Sequence, residues 1–66
     1  MKSKYQVGDL VINRFNPVLP ADRITEVRKT ICGWVYQTYT NFGRSDMYWI
    51  EERMLVNVEI EDLKEP

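Results

Sequence analysis

The chain has 66 residues, one cysteine, no histidine and a net charge of −1. It is long enough for one domain with a core near the lower limit for independent folding, and 44% hydrophobic residues indicate a globular chain. A single cysteine excludes a disulfide within one chain, and one thiol without histidine cannot complete a zinc site. We therefore expect no metal, no cofactor, and a core that depends on good packing or self-association.

The distribution of charge and hydropathy predicts a location. The first five residues carry charge without an apolar run behind them, which predicts no secretory signal. No stretch approaches the roughly 18 apolar residues of a membrane span, and a lone cysteine suits a reducing compartment. The expected location is the cytoplasm, with no membrane partner.

Charge is divided unevenly along the chain. Residues 1–44 carry seven basic and three acidic residues, a net +4, whereas residues 45–66 carry two basic and seven acidic residues, a net −5. One interpretation is that the two halves interleave and neutralise each other. The alternative is two opposed surface patches, one of which binds a partner.

The predicted elements are short strands joined by tight turns. Gly8 and Asp9 form a turn signal before the first apolar run, and two prolines make residues 15–22 a surface loop. Gly43 supplies the positive φ of a hairpin loop over residues 41–46, and residues 51–54 are long enough for a single 3₁₀ turn. The predicted strands cover residues 10–12, 23–31, 34–40, 48–50 and 56–60.

Side-chain alternation assigns faces on the third strand. Trp34, Tyr36 and Thr38 share one face, and Val35, Gln37 and Tyr39 share the other. Beyond the 3₁₀ turn, apolar residues alternate with acidic ones, as in a half-buried strand with an acidic outer face. Residues 63–66 are expected to fray.

In their order and spacing these segments resemble a Src-homology-3-like barrel, of the broad kind that includes Tudor and KOW modules and many small bacterial and phage proteins. The matching segments are Tyr5-x-Val7-Gly8-Asp9-x-Val11, Ile24-x-x-Val27, Gly33-Trp34-x-Tyr36 and Trp49-Ile50-x-Glu52-x-x-Leu55. The resemblance implies an all-β, five-stranded barrel with one 3₁₀ turn before the last strand. Residues 1–66 would form this single domain, with an ordered core over about residues 5–60 and a short acidic tail. The early loop lacks the acidic cluster of peptide-binding Src-homology-3 domains, which argues against proline-rich ligands.

The leading functional hypothesis is a non-enzymatic protein-interaction module, a class that includes small phage and mobile-element accessory proteins. Trp49 lies outside the core if its neighbours Tyr48 and Ile50 face inward, and is itself core if the register is reversed. An exposed tryptophan is a typical energetic anchor for a protein partner. The predicted contact residues are Trp49, Tyr39, Phe42, Arg44, Val18 and Leu19.

Phe42 and the early loop each leave an alternative open. Phe42 either folds back over the end of the barrel or forms a stacking platform with Arg44. Val18 and Leu19 are either tucked under the loop or offered outward. A homodimer that buries the exposed aromatic residues is the structural alternative to a separate protein partner.

The second hypothesis is a nucleic-acid-binding barrel. Arg23, Arg28 and Lys29 would form a basic strip on the second strand. Trp34, Tyr39 and Phe42 would add stacking. A sequence pI near 5.3 disfavours this reading, because nucleic-acid-binding domains are normally clearly positive. The same charges also suit a solvated strand that discourages aggregation.

Catalysis is not expected. Glu51 and Glu52 are adjacent and diverge on a turn, so they are not spaced for paired acid/base chemistry; Glu52 is expected to cap the turn or pair with an arginine. Cys32 lacks an activating histidine and has Ile31 beside it, which predicts a small core residue.

Overall fold

The computed structural model describes residues 2–58. It contains β1 (Leu10–Asn13), β2 (Asp22–Thr30), β3 (Gly33–Thr38), β4 (Ile50–Glu51) and β5 (Leu55–Asn57). All neighbouring strands are antiparallel, and their order in the sheet is β4-β3-β2-β1-β5. The all-β, five-stranded prediction is confirmed. The sheet is open rather than closed, because β4 and β5 are its edges and do not pair with each other within residues 2–58.

Two 3₁₀ turns complete the secondary structure of residues 2–58. The turn Glu52–Met54 lies directly before β5, as predicted. The second turn, Asn41–Gly43, occupies the predicted hairpin loop, and Gly43 has the expected positive φ of 82°. Asn41 and Phe42 also adopt left-handed backbone conformations, each with φ of 52°. The hydroxyl of Thr40 accepts a hydrogen bond from the N–H of Phe42 and so holds the turn.

Strand β2 links the two parts of the sheet. Its first residues pair with β1, in the register Leu10↔Arg23 and Val11↔Asp22. From Ile24 onward it pairs with β3, with a register shift between Ile24 and Glu26. An irregularity of this kind bends a strand and increases its twist, so β2 can serve both pairings.

The core is a small cluster on one side of this bent sheet. Its buried apolar members are Tyr5, Val11, Ile24, Tyr36, Ile50 and Leu55. Tyr36 and Thr38 are buried while Tyr39 is exposed, which confirms the predicted alternation on β3. Tyr5 lies before β1 and packs edge-on against Tyr36, with 5.5 Å between the ring centroids.

Cys32 is exposed, and the prediction that it is a core residue is wrong. It lies with the fully exposed Ile31 in the two-residue turn between β2 and β3. The hydroxyl of Thr30 donates to the carbonyl of Gly33 and accepts from the N–H of Cys32, which tightens the turn. Two residues at the tip of a hairpin have no core within reach, whatever their hydropathy.

The last two strands differ from prediction in extent. Strand β4 has two residues, Ile50–Glu51, rather than the predicted residues 48–50, because the chain around Tyr48 is held by turn hydrogen bonds instead. Strand β5 is observed as Leu55–Asn57 rather than the predicted residues 56–60. Val58 lies just beyond the strand, although its N–H still donates to the carbonyl of Leu10 on β1. The acidic residues of the predicted outer face, Glu59 and Glu61, and the predicted fraying tail, residues 63–66, lie outside the described residues.

Candidate functional site

Three of the predicted contact residues border two neighbouring grooves. The first, the Tyr39 groove, has a volume of about 580 Å³ and is open to solvent. The second, the Phe42 groove, measures about 220 Å³ and is lined by Leu19 as well as Phe42. The grooves share Ala21 and Asp22 in their linings. The fold therefore brings the early proline loop and the β3–β4 connection to one surface.

The Tyr39 groove is mainly apolar and lies beside the bend in β2. Its lining consists of Val7, Gly8, Leu10, Ala21, Asp22, Arg23, Ile24, Thr25 and Tyr39. Tyr39 directly follows β3, and its N–H donates to the carbonyl of Arg23 over 2.9 Å, which extends the β2–β3 pairing by one residue. Because the preceding side chain, Thr38, points inward, Tyr39 points outward and is 82% exposed.

The opposite wall of the Tyr39 groove is held by main-chain hydrogen bonds. The N–H of Gly8 donates to the carbonyl of Ile24 over 2.8 Å, and this contact fixes Val7 beside the groove with 65% of its surface exposed. Arg23 donates from Nη1 to the carbonyl of Gly8 over 2.7 Å. The groove is thus an apolar depression with one fixed positive charge at its border.

Phe42 folds back over the end of the sheet, which is the first of the two alternatives predicted for it. It is half-buried and packs against the core, so it covers one end of the sheet instead of standing free as a stacking platform. Arg44 does not accompany it; its guanidinium lies over the ring of Tyr48, 4.6 Å from the centroid. On the proline loop, Leu19 is half-buried, whereas Val18 is 90% exposed and lines neither groove.

A buried carboxylate lies between the grooves. Asp22 accepts from the N–H of Thr40 over 2.8 Å, from the hydroxyl of Thr40 over 2.5 Å and from the N–H of Arg23 over 3.0 Å. Burial alone would raise its pKa, but the hydrogen bonds from the hydroxyl and N–H of Thr40 and from the N–H of Arg23 outweigh burial and lower the pKa below 3.8. Asp22 is therefore ionised at neutral pH and fixes the start of β2 to the end of β3.

Asn41 extends this polar arrangement. Its side-chain oxygen accepts from the N–H of Thr38 over 3.0 Å, and its side-chain nitrogen donates to the carbonyls of Ser45 and Tyr48. We refer to Asp22, Thr38, Thr40 and Asn41 as the aspartate cluster. Local sequence patterns do not predict this cluster, because none of its residues has a local signature of burial. The one available signal is an acid at the first position of a strand after a proline loop.

Trp49 lies away from both grooves. Ile50 is buried and Trp49 is half-buried outside the core cluster, which is the first of the two registers considered. The guanidinium of Arg28 lies 4.3 Å from the centroid of the indole, a cation–π contact that covers part of the ring. The predicted contact residues thus fall into a groove group (Leu19, Tyr39 and Phe42) and residues located elsewhere (Trp49, Arg44 and Val18).

The predicted basic strip is not contiguous. Arg23 is engaged with the carbonyl of Gly8, Arg28 with Trp49, and Lys29 lies 5.8 Å from the ring centroid of Trp34. Consecutive residues of a strand point to opposite faces, so Arg28 and Lys29 do not act on the same surface. Glu51 and Arg53, which form an ion pair over 2.9 Å, both belong to the acidic half of the chain.

A second titratable cluster lies on the other side of the core. The hydroxyl of Tyr36 donates to Glu52 over 2.5 Å and accepts from the N–H of Tyr5, while the N–H of Lys4 also donates to Glu52. Burial and then the neighbouring Glu52 carboxylate raise the pKa of Tyr36 to about 12. The prediction that Glu52 caps its turn or pairs with an arginine is wrong: its carboxylate instead accepts hydrogen bonds from the hydroxyl of Tyr36 and from the N–H of Lys4 in the N-terminal segment.

Further features of the described chain bear on its chemistry. No three His, Cys, Asp or Glu residues among residues 2–58 come together to hold a metal ion. In the same part of the chain no helix is long and apolar enough to cross a membrane.

Compared with known proteins, the chain matches no family model, no curated protein and no solved structure. The function of the chain is therefore inferred from the grooves and from the strands that form them.

Proposed function

We propose that the chain is a non-enzymatic protein-interaction module that binds a segment of a partner protein across the Tyr39 groove and the Phe42 groove. The observation that carries this proposal is the exposure of Tyr39 on an apolar groove of about 580 Å³. A groove of this size is typical of sites that enclose a ligand group. Tyrosine is enriched among the residues that dominate binding energies at interfaces.

The chemistry of the grooves suggests which partner segment fits. Val7, Leu10 and Ile24 offer an apolar floor and wall, and Arg23 places a positive charge at the border. A matching segment carries an apolar side chain for the Tyr39 groove and an acidic residue beside it. The aspartate cluster fixes the position of the two grooves relative to each other, because it links the start of β2 to the end of β3.

The proposal includes a finer description of the fold, an SH3-like barrel. It is supported by the strand order β4-β3-β2-β1-β5, by a β2 strand shared between two pairings, and by the 3₁₀ turn before β5. Small barrels of this architecture present loops and strand ends to partners, but a fold by itself does not define a function. The functional proposal therefore depends on the grooves alone.

Selection from a library of displayed random peptides tests the proposal. We expect enriched peptides that combine an apolar residue with an acidic one. Their binding should weaken by about 30-fold in the Tyr39→Ser variant, equivalent to roughly 2 kcal/mol for a central interface residue. Met47→Ser is the matched control, because Met47 is 86% exposed and lines neither groove.

Two outcomes would contradict the proposal. Peptides that bind both variants equally would place the site elsewhere, and nuclear magnetic resonance shifts would then be sought around Trp49. Retention of DNA or RNA at low salt, lost steeply as salt increases, combined with no enriched peptide, would favour the nucleic-acid hypothesis instead.

A further inference from the structure

The second half of β2 has one paired edge and one unpaired edge. Strand β1 pairs with β2 through Asp22 and Arg23, and residues 26–30 pair with β3. Within residues 2–58 no strand pairs with the other side of residues 26–30. An unpaired edge presents main-chain N–H and C=O groups to any chain that can add a strand.

The pairing with β3 defines which groups this edge offers. Thr30 and Gly33 pair across a two-residue turn, so they form a hydrogen-bonded pair. Hydrogen-bonded and non-hydrogen-bonded pairs alternate along an antiparallel ladder. Arg28 therefore bonds to β3, while the N–H and C=O groups of Val27 and Lys29 face the unpaired edge.

We propose that this edge pairs with the same edge of a second copy of the chain, antiparallel and centred on Val27, to form one continuous sheet across a homodimer. Residues 26–30 are not part of the lining of the Tyr39 groove, although the edge adjoins the groove at Thr25. The proposal does not rest on the function proposed above. Charge complementarity indicates that the chain paired with this edge is a second copy. With a twofold axis at the Val27 pair, Glu26 of each copy lies opposite Arg28 of the other.

Other symmetric registers are disfavoured by the same side chains. Opposite residues must share a face of the sheet, so the axis has to pass through a residue pair. An axis at Arg28 or at Lys29 would place like charges directly opposite each other, which destabilises a pair of strands. Glu26 and Arg28 are both exposed and lie on the same face of β2, the face opposite the half-buried Val27.

Trp49 supplies an intrinsic probe of this pairing. In the single chain the guanidinium of Arg28 lies over the indole, 4.3 Å from its centroid. Pairing with Glu26 of the second copy draws the guanidinium toward the β2 edge and uncovers the ring. The emission of Trp49 should therefore change with protein concentration, in step with the average mass.

Charge exchange tests the proposal on the full chain, with sedimentation velocity as the readout. Glu26→Arg and Arg28→Glu should each weaken self-association by at least about tenfold, because like charges then lie opposite each other. A mixture of the two variants should associate as strongly as the wild type, since the mixed dimer places two positive residues of one copy opposite two negative residues of the other. Circular dichroism checks that each variant keeps its β structure.

Asp46→Arg is the matched control for Glu26→Arg: it makes the same change of charge at an exposed loop residue outside residues 26–30 and should leave the association unchanged. Tyr39→Ser should also leave it unchanged, so failure of this proposal is distinguishable from failure of the groove proposal. A wild-type chain that stays monomeric at the highest attainable concentration would overturn the dimer. A mixture that associates no better than either variant alone would overturn the register.

Discussion

Two clusters of hydrogen-bonded residues flank the core, and they hold irregular segments to the sheet by different chemistry. The aspartate cluster holds the start of β2 to the end of β3 through an ionised carboxylate. The tyrosine cluster, which we define as Tyr5, Tyr36, Glu52 and Leu55, holds the N-terminal segment and the last turn through a protonated phenol and the apolar core. In both clusters, hydrogen bonds to side chains beside the core attach irregular segments to a short sheet.

The difference also determines how each cluster responds to pH. A carboxylate with a lowered pKa stabilises the fold only while it is ionised, and a tyrosine with a raised pKa stabilises it only while it is protonated. The aspartate cluster should therefore weaken in acid and the tyrosine cluster in strong base. Only the aspartate cluster lies beneath the proposed binding surface.

The largest effect is expected in the tyrosine cluster, at its apolar member. Leu55 is fully buried, and its carbonyl accepts a hydrogen bond from the hydroxyl of Tyr5. Leu55→Ala should lower the free energy of unfolding by about 2–5 kcal/mol, through lost burial and the cavity left behind. That is a large part of the stability available to a domain of this size.

Urea unfolding followed by circular dichroism measures the Leu55→Ala effect. Val18→Ala is the control, because Val18 is 90% exposed and surface changes usually stay within about 0.5 kcal/mol. Equal effects of the two substitutions would show that the apolar core does not dominate the tyrosine cluster.

The next effect is expected in the aspartate cluster. Asp22→Asn replaces an ionised acceptor of three hydrogen bonds, two of them from Thr40, and should cost about 1.5–3 kcal/mol at neutral pH. Because the folded pKa is lower than the unfolded value of 3.8, this contribution is present above that value and is lost as the pH falls through the folded pKa.

Paired urea titrations of the wild type and Asp22→Asn at several pH values isolate this contribution from the other carboxyl groups. The difference between the two proteins should be constant at neutral pH and shrink in acid. A difference that persists unchanged in acid would mean that packing, rather than the charge of Asp22, connects β2 to β3.

Features that depend on local patterns could be predicted from the sequence. Alternation along β3 correctly placed Tyr36 inward and Tyr39 outward, and the polar residues before Leu55 correctly indicated a 3₁₀ turn. The strand count and chain order followed from turn residues and β-branched runs. The same patterns brought Tyr39, Phe42 and the proline loop forward as candidate contact residues, although their grouping around Asp22 was not foreseen.

Features that depend on contacts distant in the sequence could not be predicted. Asp22 and Thr40 are 18 residues apart, and Tyr36 and Glu52 are 16 apart, so their partnership follows from the strand register and not from any local pattern. Cys32 was misplaced because its apolar neighbour Ile31 suggested burial, while the geometry of the hairpin tip exposes both.

The smallest effect is expected from the hydroxyl of Tyr36. Tyr36→Phe keeps the buried ring but removes the donor to Glu52 and the acceptor for the N–H of Tyr5, and should cost about 1 kcal/mol near neutral pH. The raised pKa, about 12 against an ordinary value of 10.0, means that the folded state retains the phenolic proton longer than the unfolded state does. The contribution is therefore fully present below pH 10.0 and is lost as the pH rises toward about 12.

Urea titrations of the wild type and Tyr36→Phe on both sides of this range measure this contribution. Tyr39→Phe, which changes an exposed phenol on the same segment, is the matched control. If the wild type keeps its advantage over Tyr36→Phe throughout strong base, the proton on Tyr36 does not fasten the N-terminal segment, and the two clusters do not differ in the way proposed.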